Sequence, residues 1–342
     1  MGKKGKFSRP VVAITMGDPS GVGPEVILKA LAQPRVRSAC LPLVVGDGDF
    51  LGRTQRRIKS CPFRLVPWEE GQPLPRNGEN IPVDSISHLS PPQCRPGRPT
   101  KAGGHAAFQF IQSAVHHIHS GTAQAMATAP ISKKILHSAG HPYPGHTEIL
   151  AEMTGTRNFR MMLMGKNLKV ILVTVHLPLT QIAKEISRRQ IRVTLEVAHK
   201  ALRDYFRISR PRLAVAGLNP HAGEEGLLGW EERRIIAPAV RDACRQGIRA
   251  FGPLAADSLF HQAVRGDYDA VICMYHDQGL GPLKLLHFFD GVNVTLGLPI
   301  IRTSVDHGTA YEIAGKNKAH ADSMAEAILL ASRLAARREQ MK

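Results

Sequence analysis

Residues 274–319, MYHDQGLGPLKLLHFFDGVNVTLGLPIIRTSVDHGTAYEIAGKNKA, bring His276-Asp277, Asp306-His307, Lys284, Arg302 and Asn293 into one segment with no long helical pattern. The apolar run at residues 270–274 (AVICM) reads as a buried strand, so Tyr275, His276 and Asp277 fall where that strand ends, the ligand edge of an open α/β sheet. Downstream, GVNVTLGLPIIR alternates β-branched residues with glycine and ends on a cation. DHGTAYEIAGKNKA predicts a tight turn and then a short helix closed by Gly315. Such a turn lets backbone donors approach a flat ring or a phosphate, and loops carry chemistry when a rigid scaffold holds them.

The same strand-to-loop pattern recurs upstream. Residues 11–16 (VVAITM) predict a buried strand running into GDPSGVGPEV and an apolar helix; Gly17, Gly21 and Gly23 shape the turn, Pro24 suits the first helical turn and Glu25 its dipole. The glycine spacing fits neither G-x-G-x-x-G nor a Walker loop, which leaves a plain βα turn and a ligand-binding turn both open. LPLVVGD (residues 41–47) is a second strand edge, residues 60–100 are a proline-rich excursion with short strands, and residues 102–120 are a helix. The histidines of that helix (His105, His116, His117, His119) look like a metal cluster, but His116, His117 and His119 do not share a helical face as an i, i+4 pair would.

AMATAPISKK (residues 125–134) reads as strand, turn and helix. In YPGHTEILAE, His146 or Thr147 stands near the cap of an apolar helix with Glu148 in its first turn, and both capping and anion binding at the helix start stay open. MMLM (residues 161–164) and KVILVTV (residues 169–175) are strands, the second ending in His176-Leu177-Pro178. RLAVAGLNPHAGEEG (residues 212–226) is a strand with Asn219, His221 and Glu224 in the loop beyond it, and an amphipathic helix runs from 231 to 244. Alternating strands and helices predict an α/β protein with parallel or mixed sheets, and the length predicts two lobes.

At 342 residues with 43% hydrophobic content the chain is long enough for real cores. It contains no apolar run of about 18 residues, and its basic start, MGKKGKFSR, lacks the apolar middle of a signal peptide. A soluble, cytoplasmic protein with no membrane partner is expected. Five cysteines lie far apart without a CxxC pair, so reduced thiols are expected rather than a disulfide framework or zinc ribbon. The net charge of +17 raises the question of nucleic acid. The cations, however, are scattered as doublets without aromatic interleaving, the pattern of a solvated basic surface and not of a nucleic-acid partner.

Three predicted strands thus end in histidine-bearing loops, at His176, His221 and His276. Each histidine could be structural by itself; together at equivalent strand ends they can converge on one pocket, and three imidazoles with an open position make a catalytic metal site.

Taken in order, GDPSGVGPE, GHTE, TVHLPL, GLNPHAGE, MYHDQG, LK and GVNVTLGLPIIRTSVDHGTA resemble the 4-hydroxythreonine-4-phosphate dehydrogenase family of the vitamin B6 pathway, over nearly the whole chain. The resemblance implies that His176, His221 and His276 hold one divalent metal (zinc, magnesium or cobalt), and that His146, Thr147, Lys284, Asn293 and Arg302 bind a phosphorylated C4 hydroxy or amino acid. It further implies catalytic roles for Asp257 and Lys284. NAD or NADP is implied on the side of Gly17, Asp18, Asp306, His307, Gly308 and Thr309. The family's fold is similar to that of the isocitrate and isopropylmalate dehydrogenases, two-lobed α/β/α. By that likeness residues 1–125 and 285–342 form a cofactor-side lobe, residues 126–284 a central lobe with the metal histidines, and a homodimer shares its active sites. The implied reaction is oxidation of 4-phosphooxy-L-threonine at C3 and decarboxylation to 3-amino-2-oxopropyl phosphate. Relatives of the family act on 4-phospho-threonate, 4-phospho-erythronate or a cyclic dihydrodiol. A metal-dependent phosphatase or isomerase, or a sugar-phosphate binding protein, on the same frame is the competing class.

Overall fold

The computed structural model describes residues 9–58 and 60–340, so the basic tail other than Arg9 lies outside the described residues. The protein divides into two compact units, Met1–Gly155 with Ile300–Lys342, and Thr156–Pro299. The first begins with β1 (Val11–Thr15), α1 (Gly23–Ala32), α2 (Pro34–Ala39), β2 (Leu41–Gly46), α3 (Gly48–Gln55), β3 (Arg64–Pro67), β4 (Asn80–Ser85), α4 (Lys101–His119), β5 (Ala125–Thr128), α5 (Lys133–Ser138) and α6 (His146–Met153). The second holds β6 (Arg160–Met164), β7 (Lys169–Leu172), α7 (Leu179–Glu185), α8 (Arg188–Asp204), β8 (Arg212–Ala216), α9 (Ala237–Arg245), β9 (Arg249–Leu254), α10 (Ala256–Val264), β10 (Ala270–Cys273), α11 (His276–His287) and β11 (Val292–Leu296). The polypeptide then returns to the first unit through β12 (Arg302–Val305) and α12 (Asp322–Glu339).

Strands of the first unit run in the order β3-β4-β2-β1-β5-β12, every neighbouring pair parallel. Those of the second run β11-β6-β7-β10-β8-β9, antiparallel on both sides of β6 and parallel from β7 onward. Continuous apolar strands such as β2, β5 and β10 are buried along their whole length, as parallel strands covered by helices must be. The core of the second unit gathers Leu163, Val170, Leu172, Val271 and Leu283. Several helices begin where a polar side group takes up an orphan amide: Asp47 accepts from Phe50, Thr100 from Gly103 and Ser187 from Gln190. Among the described residues no helix is long and apolar enough to cross a membrane.

Four sequence expectations are corrected. The units change hands at 155/156 and 299/300, not at 125/126 and 284/285. The reason is pairing: β5 hydrogen-bonds to β1 and β12 in the first unit, while β11 pairs with β6 in the second. Residues 276–287 form a helix where no long helical pattern was expected. Its glycines masked the period, yet Leu280, Leu283 and His287 are its buried side, and Gly279 lies where a Cβ would meet Cys273 Sγ at 2.9 Å. Conversely, the residues ahead of Gly315 are a run of turns and not the expected short helix, with left-handed backbone at Ala310 (φ 43°) where it would begin, although Gly315 (φ 72°) has the left-handed backbone of a closing glycine. Finally, Gly145 stands at the cap of α6 and the capping position supplies no hydrogen bond beyond its backbone, so neither His146 nor Thr147 serves that role.

The histidines of α4 disperse. His105 pairs with His141 (2.9 Å), His116 with Glu70 (3.0 Å) and buried His117 with Asp84 (2.7 Å). All five cysteines are free thiols.

Candidate active site

In the second unit β7, β10 and β8 are consecutive, parallel neighbours, so their carboxyl ends lie on one edge of the sheet. His176 follows β7, His276 opens α11 directly after β10, and His221 lies in a tight turn, Pro220–Gly226, after β8. That turn runs through left-handed backbone at His221, Ala222, Gly223, Glu224 and Glu225, with φ between 42° and 81°. Gly223 is required there, because a Cβ would lie 2.6 Å from Glu232 Oε2.

The ring centroids of His176 and His276 stand 5.7 Å apart. His276 Nδ1 donates to Asp277 Oδ1 at 2.7 Å, which fixes its tautomer and leaves Nε2 as the basic atom. His221 Nδ1 faces Asp257 Oδ2 at 3.8 Å. Among the described residues no three His, Cys, Asp or Glu side chains form a ready cation cage. In donor chemistry the imidazoles suit a divalent cation. They are borderline ligands on one sheet edge, two of them adjacent, and one already oriented by a carboxylate.

Asn293 on β11 has a buried Oδ1 with no hydrogen-bond partner, an acceptor that points to an absent donor. Lys284 on α11 places Nζ 5.6 Å from the centre of the Phe288 ring. His287 is buried against the Gly165 backbone and pairs with Asp290 (3.1 Å), so it packs this end of α11.

The first unit carries the other anion-binding candidates. Arg302, 3% exposed at the start of β12, donates through Nη2 (2.8 Å) and Nε (3.2 Å) to Thr128 Oγ1 at the end of β5. Burial pulls its guanidinium down to about 10, with Glu148 opposing, so it stays charged at neutral pH. His146, at the start of α6, has a buried Nε2 with no partner, and burial together with the Arg302 charge holds it well below the ordinary imidazole range. A cation, a neutral imidazole and a helix start therefore share one place, a suitable receptor for an oxyanion.

On the predicted cofactor side, Gly17 (φ 70°) packs so closely that a Cβ would meet Pro130 O at 2.4 Å. The turn's amides are engaged by the protein: Asp18 N–H donates to Pro130 O, Ser20 N–H to Asp18 Oδ1 and Val22 N–H to Thr309 O, each at 2.9 Å. Asp18 is buried, accepts from Tyr311 Oη at 2.5 Å, and is raised above the usual carboxylate range by desolvation. The GDPSG turn thus anchors the loop of Gly308 and Thr309. In that loop His307 Nδ1 meets Gly308 O at 3.0 Å, and Asp306 N–H donates to Ser323 Oγ at 3.0 Å.

A family model described as "Pyridoxal phosphate biosynthetic protein PdxA" matches residues 38–331. The chain belongs to the PdxA family. It is 52% identical over 333 residues, 96% of each protein, to 4-hydroxythreonine-4-phosphate dehydrogenase of Geobacter metallireducens. It is 45% identical to D-threonate 4-phosphate dehydrogenase of Cupriavidus necator, over 96% of this protein and 98% of the relative. The crystal structure of 4-hydroxythreonine-4-phosphate dehydrogenase from Klebsiella pneumoniae superposes with a TM-score of 0.86 at 44% identity, covering 95% of this protein and 99% of that one. The protein is accordingly an oxidoreductase of the PdxA family with its mixed α/β fold.

For this PdxA member, three buried polar residues beside the histidines escape a reading of the sequence: Thr174, Gln278 and Glu232. Glu232 carries a signal in retrospect: in the π-helical turn Glu232–Ile236 that leads into α9 it is buried with Ile236, a charge that only a local partner can satisfy. Tyr311, the partner of Asp18, was equally hidden, whereas Thr128, the partner of Arg302, lies at the strand end that the Thr128-Ala129-Pro130 tip marks in the sequence.

Proposed function

We propose that this PdxA-family protein is an NAD- or NADP-dependent, divalent-metal-dependent dehydrogenase of the cytoplasm. Its substrate is 4-phosphooxy-L-threonine, oxidised at C3, and loss of carbon dioxide from the β-keto acid gives 3-amino-2-oxopropyl phosphate. The observation that carries the reading is the set of three histidine loops at one edge of β7, β10 and β8. When bound, a divalent cation on His176, His221 and His276 supplies an electrophile for the C3 oxygen, and the nicotinamide supplies the hydride acceptor.

Arg302 presents a charged fork to an oxyanion of the substrate, with neutral His146 beside it and Thr147 in the first turn of α6. Asn293 Oδ1 accepts from a substrate hydroxyl or ammonium. Lys284 Nζ gives charge to a second anion and, with Asp257 Oδ2 next to His221, handles the C3 hydroxyl proton. Asp306, His307, Gly308 and Thr309 face the nicotinamide cofactor, while Gly17 and Asp18 hold that loop in place. The working form is a homodimer. Leu285 (86% exposed) and Phe288 (64% exposed) at the end of α11 support it, since a monomer would leave them in water.

A 4-phospho-D-threonate or 4-phospho-D-erythronate substrate is the second reading, favoured by the Cupriavidus necator relative's name. Initial rates of reduced-nicotinamide formation over a panel of 4-phosphorylated C4 acids separate the two. The amino acid should give the highest kcat/KM; a hydroxy acid ahead of it transfers the assignment, and a phosphatase or binding protein gives no reduced nicotinamide with any of them.

A further inference from the structure

The three histidine loops leave different strands, and one run of hydrogen bonds, buried from Thr174 to Gly217 and part-buried at Leu218 and Asn219, ties their bases together. Thr174 Oγ1 donates to Met274 O at 2.7 Å; Met274 N–H donates to Gln278 Oε1 at 2.7 Å; Gln278 Nε2 donates to Gly217 O at 2.6 Å. The Leu218 and Asn219 amides then donate to Glu232 Oε1 at 2.8 and 2.7 Å, and Asn219 Nδ2 donates to Glu232 Oε2 at 3.0 Å. The anchored positions Thr174, Met274 and Asn219 each lie two residues ahead of a histidine, His176, His276 and His221. Thr174, Gln278 and Glu232 are respectively 5%, 8% and 2% exposed.

We propose that Gln278 is a positioning residue: its carboxamide bridges the ends of β10 and β8 and, with Thr174 and Glu232 on either side, sets the spacing of the three histidine loops and hence the affinity for a divalent cation. The proposal rests on the metal reading of His176, His221 and His276. The bridge joins one backbone N–H to one backbone C=O. Only a residue with an acceptor and a donor at carboxamide separation satisfies both. Glutamate offers the acceptor without the donor, and methionine fills the volume with neither. Without the bridge a buried amide or carbonyl is left unpaired, and the strand ends relieve this by shifting toward other partners.

The test uses Co²⁺ as the probe, added to metal-free full-length protein, with the binding isotherm and the visible d–d spectrum as readouts alongside the thermal midpoint of the metal-free form. Variants are Gln278→Met and Gln278→Glu, with Val271→Ala as a control that opens the core of β10 away from its end. Both Gln278 variants should bind Co²⁺ at least about 10-fold more weakly, with a changed d–d band. Val271→Ala should lower the midpoint while keeping affinity and band. Wild-type affinity and spectrum in the Gln278 variants, or an equal loss in Val271→Ala, would overturn the proposal. Should Gln278→Met not fold, Gln278→Glu, which preserves shape and the bond from Met274, decides alone. A wild-type protein that takes up no Co²⁺, or a His176→Ala variant that keeps it, overturns the metal reading instead.

Discussion

His146 shows how much one buried atom can report. Its imidazole is held neutral by burial and by the neighbouring Arg302, so the folded protein excludes a proton that the unfolded polypeptide accepts below about pH 6.5. A lowered folded-state value means that this contribution to stability is complete above that pH and is lost as the pH falls toward the folded value. His146→Gln cannot titrate and should flatten the acid side of a plot of thermal midpoint against pH; an unchanged slope would remove His146 from that role. Arg302→Lys keeps the charge but replaces the two-pronged contact with Thr128, and it should raise KM for the phosphorylated substrate about 10-fold. An unchanged KM would contradict the anion-binding role. The histidines were legible in the sequence because each follows an apolar run that can only be a buried strand. Gln278 and Thr174 were not, since a glutamine or threonine past a strand end looks like surface until the facing backbone groups are known.

Among the elements, α11 joins the histidine edge to Lys284 and illustrates where local patterning misleads. Gly279 and Gly281 lower helix propensity, and Pro282 lies inside the helix, yet His276 to His287 is helical because Leu280 and Leu283 bury against the core of the second unit. Gly279 is needed for close approach to β7 and β10, where a methyl group would meet Cys273 Sγ at 2.9 Å and Val170 Cβ at 3.2 Å. Gly279→Ala should therefore cost about 1–3 kcal/mol, measured by denaturant unfolding. A neutral result would mean that α11 is not seated as described. The reverse error, a short helix expected ahead of Gly315, arose because good helix-forming residues cannot outweigh the left-handed backbone at Ala310 (φ 43°), which breaks the entry to that stretch; Gly315 itself is left-handed, as a closing glycine would be. The unit boundary was misplaced for a third reason: hydrogen-bonded pairing, not sequence order, assigns β5 to the first unit and β11 to the second.

For the whole molecule, the exposed Leu285, Leu286, Phe288 and Phe289 predict association, so sedimentation should give a dimer, and Phe288→Glu with Leu285→Glu should shift it toward monomer. A fully active wild-type monomer would end the dimer assignment. The α/β class and the histidine edge were readable because buried parallel strands leave continuous apolar runs, whereas no local pattern marks the groups that another part of the fold must supply. The central claim is that three histidines from neighbouring strand ends load one cation on which oxidation depends. The direct measurement titrates a divalent metal into stripped protein and follows reduced-nicotinamide absorbance with 4-phosphooxy-L-threonine and NAD or NADP present. The rate should rise from near zero and saturate at about one metal per protomer, the number a single three-ligand site holds, and should stay near zero in a His176→Ala, His221→Ala, His276→Ala variant. Full turnover in the stripped protein, or in that triple variant, would contradict it.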